Sequence, residues 1–310
     1  MPKTVLFILG SPYCGSTLLS HLLASGPRSV SIGEAQRFRA FGQFESAPAH
    51  YLDLCSFCAT QERYDCPVWT EEVAERTARD GAARAYAAAI EALDADLVID
   101  SSKEARWLRL VSREPALAQA ARLACVVMVR HPAAFARSNA KRVPDKPPHW
   151  HVNGWRNIYT FILHSLGRLC VPHVVARYED LVEAPEAKAA QILAHIAPEA
   201  GIDPARMHHR VHHPLGGNLA ELARSAGFDP RGFRNLQGAE ADFNVRRVAG
   251  WIDSGQMEAE KARGVYRSAP RFEAADAELL LEPGVASLCR MLGYSAADLS
   301  MQLGTAEPEG

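Results

Sequence analysis

The chain predicts an α/β protein, a three-layer α/β/α sandwich around a central, mostly parallel sheet. Three observations carry that prediction. The runs Val5–Leu9, Leu97–Ile99, Leu123–Val129 and His173–Ala176 are short, apolar and rich in β-branched residues, and each ends in polar or turn residues. Continuous apolar strands of this kind are buried on both faces, as in parallel sheets. Between them lie Ala-rich helical stretches, Glu71–Leu93 and Arg106–Arg122, and strand–helix alternation builds a covered parallel sheet. The first run also passes directly into a glycine-bearing turn and a helix, the frame of a P-loop-like architecture.

Taken in chain order, Val5–Leu9 is the first strand. The opening Met1-Pro2-Lys3 with its apolar run is interrupted too soon by Gly10, Ser11 and Pro12 to read as a signal segment, and cytoplasm is the expected compartment. Residues 45–70 read as a cysteine-containing insertion. The cluster Pro144, Pro147, Pro148 marks a loop. Pro185–Ala197 is a helix, residues 205–255 a loop-rich cap or lid, and Thr305–Gly310 a frayed tail. Residues 1–304 are expected to form one domain. With 48% hydrophobic and 23% charged residues in 310, the composition is that of a soluble globular protein. A formal net charge of −2 gives no general drive toward nucleic acid or an anionic membrane. No apolar run approaches the roughly 18 residues that suggest a membrane span.

The segment Gly10-Ser11-Pro12-Tyr13-Cys14-Gly15-Ser16-Thr17 has two glycines five positions apart and a hydroxyl pair opening a helix. The first turn of such a helix offers unpaired N–H groups and the positive end of its dipole to an anion. Where the nucleoside-triphosphatase signature has lysine, this chain has Ser16. The alternative is an ordinary strand–turn–helix connection. Arg130-His131-Pro132 ends the strand Leu123–Val129, and Ser138 follows eight residues after Arg130. At the carboxyl end of a parallel strand, guanidinium and hydroxyl can grip a second phosphate; the alternative is a surface arginine in a turn.

These pieces together resemble the sulfotransferases that use 3′-phosphoadenosine 5′-phosphosulfate (PAPS). Ser11 through Leu18 and Leu19 are similar to the family's 5′-phosphosulfate loop, and Val129-Arg130-His131-Pro132 through Ser138 to its 3′-phosphate motif, R-[DH]-P with a serine eight after the arginine. Asp100-Ser101-Ser102-Lys103 resembles the D-S-S-K of bacterial members, Tyr178-Glu179-Asp180-Leu181 the Y-E-D-L after a late strand, and Gly216-Gly217-Asn218 the G-G-N loop. The resemblance implies PAPS as co-substrate, its bisphosphate PAP as product, and no need for the missing lysine or for Mg²⁺. Donor contacts are then expected from Ser11, Pro12, Tyr13, Cys14, Gly15, Ser16, Thr17, Leu18, Arg130, Ser138, Gly217 and Asn218. The acceptor is expected to be a hydroxyl of a small molecule, sugar or lipid; neither the acceptor nor the oligomeric state is named by the sequence.

Sulfuryl transfer wants a base at the acceptor and a cation at the leaving oxygen. The resemblance makes Glu34, in Gly33-Glu34, the base, and Lys103 the cation. The competing assignments are a solvated loop carboxylate and a surface ion pair of Lys103 with Glu104. Tyr13 stands where many members carry Arg or Lys, which keeps a non-catalytic nucleotide binder in view. A P-loop kinase with Asp100 as a Mg²⁺ ligand is the other alternative.

Seven cysteines in a long chain argue against a disulfide scaffold. Cys55-x-x-Cys58 followed by Cys66 can bind zinc, with His50 as a fourth ligand, but the two-knuckle spacing is missing. A disulfide and reduced, packed thiols are the alternatives, and no metal is expected of the reaction itself. His208, His209, His212 and His213 form two i, i+4 pairs, though Pro214 shortens any helix there, favouring a place on the surface or the site rim. Trp150, His151 and Trp155 read equally as acceptor-pocket lining or core. Cys14 reads as a small residue that fits the loop.

Overall fold

In the computed structural model the first apolar run pairs along both of its edges. It forms β1 (Lys3–Gly10), in parallel with β3 (Leu97–Lys103) on one side and β4 (Ala121–Val129) on the other. β2 (Ser29–Gly33) adds to β3 and β5 (His173–Arg177) to β4, also in parallel, giving the order β2-β3-β1-β4-β5. The structure describes residues 3–37, 55, 58, 66–140, 143–206, 212–215, 249–250, 253–255, 283–295 and 298. Within these the α/β class and the parallel sheet are as the sequence predicts. The cap, apart from 205–206, 212–215, 249–250 and 253–255, and the tail lie outside them, as do Gly217 and Asn218.

Period-two alternation along β1 separates two cores, one on each face. Val5, Phe7 and Leu9 pack with Val98, Val127 and Val129 under Tyr86, Trp107 and Trp155. Leu6 and Ile8 pack with Ile99, Val126 and Met128 against Leu19, Leu22, Ile192 and Leu193. The first set of covering side chains comes from α3 (Ala82–Ala92), α4 (Ala105–Val111) and α7 (Pro148–Leu169). The second comes from α1 (Ser16–Leu23) and α9 (Pro185–Ile196). Helix, sheet and helix therefore form three layers.

Some elements depart from the sequence prediction. The stretch Glu71–Leu93 is two helices, α2 (Glu71–Asp80) and α3, broken at Gly81, whose φ of 88° is open only to glycine at low cost. Thr70 caps α2 by accepting the Val73 N–H at 3.2 Å. Arg106–Arg122 is likewise divided. After α4, Pro115 opens α5 (Pro115–Ala120) with Glu114 as its cap, and Ala121 and Arg122 already belong to β4. The proline cluster is a loop up to Pro147, but Pro148 starts the 22-residue α7, where proline at the first turn costs no hydrogen bond. Three further helices, α6 (Pro132–Ala140), α8 (Tyr178–Glu183) and α10 (Val285–Met291), complete the described set. No helix among the described residues is long and apolar enough to cross a membrane.

Asp100 is fully inaccessible near the end of β3. Its Oδ2 accepts from Tyr86 Oη at 3.0 Å and Trp107 Nε1 at 2.9 Å, and its Oδ1 from the Ser102 N–H at 2.9 Å and the Ser102 hydroxyl. Four donors satisfy the group, while burial raises its pKa against them. Asp100→Asn replaces one accepting oxygen with an amide NH₂ that faces donors. The expected loss is about 1–3 kcal/mol of stability, measured by urea unfolding, with unchanged stability as the contrary result.

Candidate active site

The carboxyl ends of all five parallel strands lie along one sheet edge. The chain leaves β1 toward β2 and leaves β4 toward β5, so the order reverses between β1 and β4, and ligands bind outside such a switch point. The loop after β1 and Arg130 after β4 meet there.

The loop is shaped by close contacts that forbid side chains. A Cβ on Gly10 would lie 2.4 Å from the Met128 carbonyl oxygen and 2.8 Å from Cys14 Sγ. Gly15 has φ 91°, and its Cβ would lie 2.5 Å from the Tyr178 ring. Tyr13 also adopts a left-handed φ, 62°, a conformation that costs a bulky residue about 1–3 kcal/mol and gathers at functional loops. Ser11 is anchored from across the sheet, donating its N–H to Tyr159 Oη at 3.2 Å, while Tyr159 donates to the Met128 carbonyl at 2.8 Å. Cys14 is fully buried and burial pushes its thiol up, so it fills space. At α1 the first intrahelical bond is Leu19 N–H to Gly15 carbonyl at 3.1 Å, and no side chain caps the helix. The N–H groups of its first turn therefore face the loop, where an anion would meet them.

Arg130 closes the loop from the β4 side. Its Nη1 donates to the Tyr13 carbonyl and lies 3.2 Å from Ser138 Oγ, joining the two halves of the expected 3′-phosphate motif. The guanidinium sits 4.8 Å over the Tyr178 ring, the same ring that packs against Gly15. His131 accepts the Ala133 N–H at 3.3 Å through Nδ1 and caps α6, with Pro132 in the first turn. Aspartate would accept the same bond. Burial, helped by the charge of Arg137, holds this imidazole down to about 3, so it is neutral. Glu179 accepts the His131 backbone N–H at 3.0 Å and the Tyr294 hydroxyl at 2.8 Å. The segment Tyr178–Glu179 is thus the strut that sets loop and arginine together.

On the other side of β1, Leu9 pairs with Lys103. Lys103 ends β3 with φ 67°, another left-handed non-glycine. Its Nζ donates to Glu34 Oε1, and Arg37 holds Oε2 from Nε and Nη2, each at 2.8 Å. The pair is largely shielded, with 16% of the Lys103 side chain and 11% of the Glu34 side chain accessible. Burial pushes the Glu34 carboxyl up, but the charges and hydrogen bonds of Lys103 and Arg37 outweigh it and leave the group below its ordinary value. The Asp100 network supports the same turn: Ser102 Oγ accepts the Gln36 N–H at 3.0 Å.

The fold therefore brings together Ser11 through Leu18, Glu34, Lys103, Arg130 and Ser138. Lys103 pairs with Glu34, and that ion pair is largely shielded at the strand ends. Asp100, with both oxygens engaged by protein donors, is placed as a structural group. Trp155 and His151 are core: the first donates to the Arg130 carbonyl at 2.9 Å and the second bonds Asn139 at 3.0 Å. Trp150 is 46% exposed beside Lys146. His212 and His213 lie in an extended segment along β2, and His212 is fully buried there and not at the surface, with His208 and His209 outside the described residues. Arg37, Tyr159, Tyr178 and Glu179 are the residues that motif reasoning left without a role. For Tyr178 and Glu179 the signal was their position, directly after a strand that ends at the switch edge.

The model of the "Sulfotransferase family" matches residues 6–199, from β1 to just beyond α9, and spans the loop, Glu34, Lys103, Arg130 and Ser138. A search of curated proteins found no match. Among solved structures the chain is similar to the sulfotransferase domain from the Synechococcus PCC 7002 olefin synthase. That likeness has 20% identity and a TM-score of 0.48, and covers 81% of this chain and 95% of that one. With more than half of its length matched by the family model, the chain belongs to the sulfotransferase family.

Proposed function

We propose that this chain transfers the sulfuryl group of PAPS to a hydroxyl of a small-molecule, carbohydrate or lipid acceptor. The observation that carries the proposal is the shielded Glu34–Lys103 pair at the strand ends beside the loop, with the Arg130–Ser138 clamp on its far side. The loop and the first turn of α1 would hold the 5′-phosphosulfate, and Arg130 with Ser138 the 3′-phosphate. A nucleotide with phosphates on two ribose positions and no γ-phosphate would engage both parts, and the position of Ser16 would then need no lysine. PAPS, when bound, supplies an activated sulfuryl group.

The chain's own residues do the rest. Glu34 accepts the acceptor's hydroxyl proton as the oxygen attacks sulfur. The bond from sulfur to the bridging oxygen breaks, and Lys103 neutralises the charge that develops there as PAP leaves. In the free protein Lys103 is spent on Glu34 and depresses its basicity. When Nζ turns to the phosphosulfate, Glu34 loses that partner while remaining buried, and its pKa rises toward a value useful for a base. Donor binding would thus prepare the base, with no metal in the step. The full engagement of Asp100 supports this over a kinase that needs a Mg²⁺ ligand there.

The test is a donor-dependent mass gain of one SO₃ across a panel of hydroxylated metabolites, with and without added Mg²⁺. Turnover without added Mg²⁺, abolished in Glu34→Gln while PAP affinity is retained, is the expected outcome. PAP binding with no acceptor sulfated at all would instead favour a non-catalytic nucleotide binder. Lys103→Met should lower kcat more than it weakens donor binding. It should also move the acid limb of kcat/KM upward, because Glu34 without its cation is protonated at higher pH; an unmoved limb contradicts the pairing. Arg130→Lys loses the planar fork and should weaken PAP binding by about tenfold or more in calorimetry, with kcat less affected.

A further inference from the structure

Three cysteines and a histidine from distant parts of the chain converge beside β2. The ligand atoms of Cys55, Cys58, Cys66 and His213 all lie within 4.8 Å of one another. His213 Nδ1 is 3.7 Å from Cys55 Sγ, 3.5 Å from Cys58 Sγ and 3.6 Å from Cys66 Sγ. One ring nitrogen carries one proton or one lone pair, so hydrogen bonding accounts for at most one of these three approaches. A tetrahedral ion accounts for all three together. Arms of about 2.3 Å to sulfur and about 2.0–2.1 Å to nitrogen give S···N edges of about 3.6 Å.

We propose that Cys55, Cys58, Cys66 and His213 form a structural Zn²⁺ site of the Cys₃His type. His213 takes the fourth position, which sequence spacing had left to His50, a residue outside those described. The surroundings are those of a closed site. Cys55 is fully buried and Cys66 nearly so. The Trp69 N–H lies 3.4 Å from Cys66 Sγ, and Trp69 Nε1 donates to the His213 carbonyl at 2.7 Å, holding ligands from outside the first coordination shell. Four protein ligands leave no open position for substrate, so the ion is a brace rather than a reactant.

What the brace holds is the base-bearing end of β2. His213 donates its backbone N–H to Ser31 at 2.8 Å, and Leu215 to Ile32 at 2.9 Å. Leu215 in turn accepts the Glu34 N–H at 2.7 Å and also bridges to Cys55. Gly33 makes the contact possible: it has φ 68°, and a Cβ there would lie 2.5 Å from the Leu215 nitrogen. The ion would therefore tie the cysteine insertion and residues 212–215 to the strand that presents Glu34. The zinc proposal does not depend on which acceptor or donor the protein uses.

The test uses the untagged full chain, purified with zinc in the medium and without chelator. Elemental analysis should give about one zinc per chain, and removal by chelator should lower the unfolding temperature. Cobalt substitution should give the d–d and sulfur-to-metal charge-transfer bands of a tetrahedral thiolate site. Cys58→Ser should lose the metal. Because that variant can fail to fold, His213→Cys is the second arm: it should retain one ion and strengthen the charge-transfer band by an added thiolate. A metal-free protein whose melting is indifferent to zinc would overturn the proposal. So would two thiols missing from the reduced count through a disulfide, or a cobalt spectrum that His213→Cys leaves unchanged.

Discussion

Pairing of β1 with β3 along one edge and with β4 along the other is the constraint on which the site depends. In a parallel sheet all the strands deliver their carboxyl ends to one side, so whatever follows them is gathered without further machinery. The loop that leaves β1 is held between neighbours. Lys103 lies beside Leu9 on one flank, and the Met128 carbonyl touches the position of a Gly10 side chain on the other. Two non-glycine residues with left-handed backbone, Tyr13 and Lys103, sit at this edge. Strain of that kind persists where surrounding packing over-determines it. Tyr159, bonded to Ser11, and Tyr178, packed on Gly15, hold the loop beside them.

The electrostatics follow from the same geometry. Glu34 and Lys103 come from adjacent strand ends and neutralise each other in a shielded place, where either charge alone would be costly. In the proposed reaction such a pair is a resting arrangement: an incoming anion would compete for the lysine, and the carboxylate left behind would become the stronger base. The described contacts of Arg130 include a backbone carbonyl, a serine hydroxyl and an aromatic ring, which orient its guanidinium beside the loop.

The central strands are legible in the chain because burial on both faces leaves unbroken apolar runs, and the phosphate loop because glycine spacing is local. Other features depend on contacts that local sequence does not carry. β2 has only Val30 and Ile32 as large apolar residues among serines, so nothing in its composition announces a strand; pairing with β3 and with residues 212–215 makes it one. α7 begins inside a proline cluster that signals a turn. The alanines before β4 carry helical composition into Ala121 and Arg122, where the sheet overrides it. His213 lies 147 residues from Cys66, and only the path of the chain beside β2 reveals that they meet. Tyr13, conspicuous as a departure from the family's basic residue, contributes its backbone, a turn in φ and a carbonyl for Arg130.

The central claim is that donor binding separates Lys103 from Glu34. A crystal structure of the chain with PAP bound tests it most directly. The account predicts the 3′-phosphate on Arg130 and Ser138, the 5′-phosphate on the first turn of α1, and Lys103 Nζ turned from Glu34 to that phosphate. A nucleotide bound in this way with the Glu34–Lys103 pair still closed, or one bound away from the loop, would contradict it.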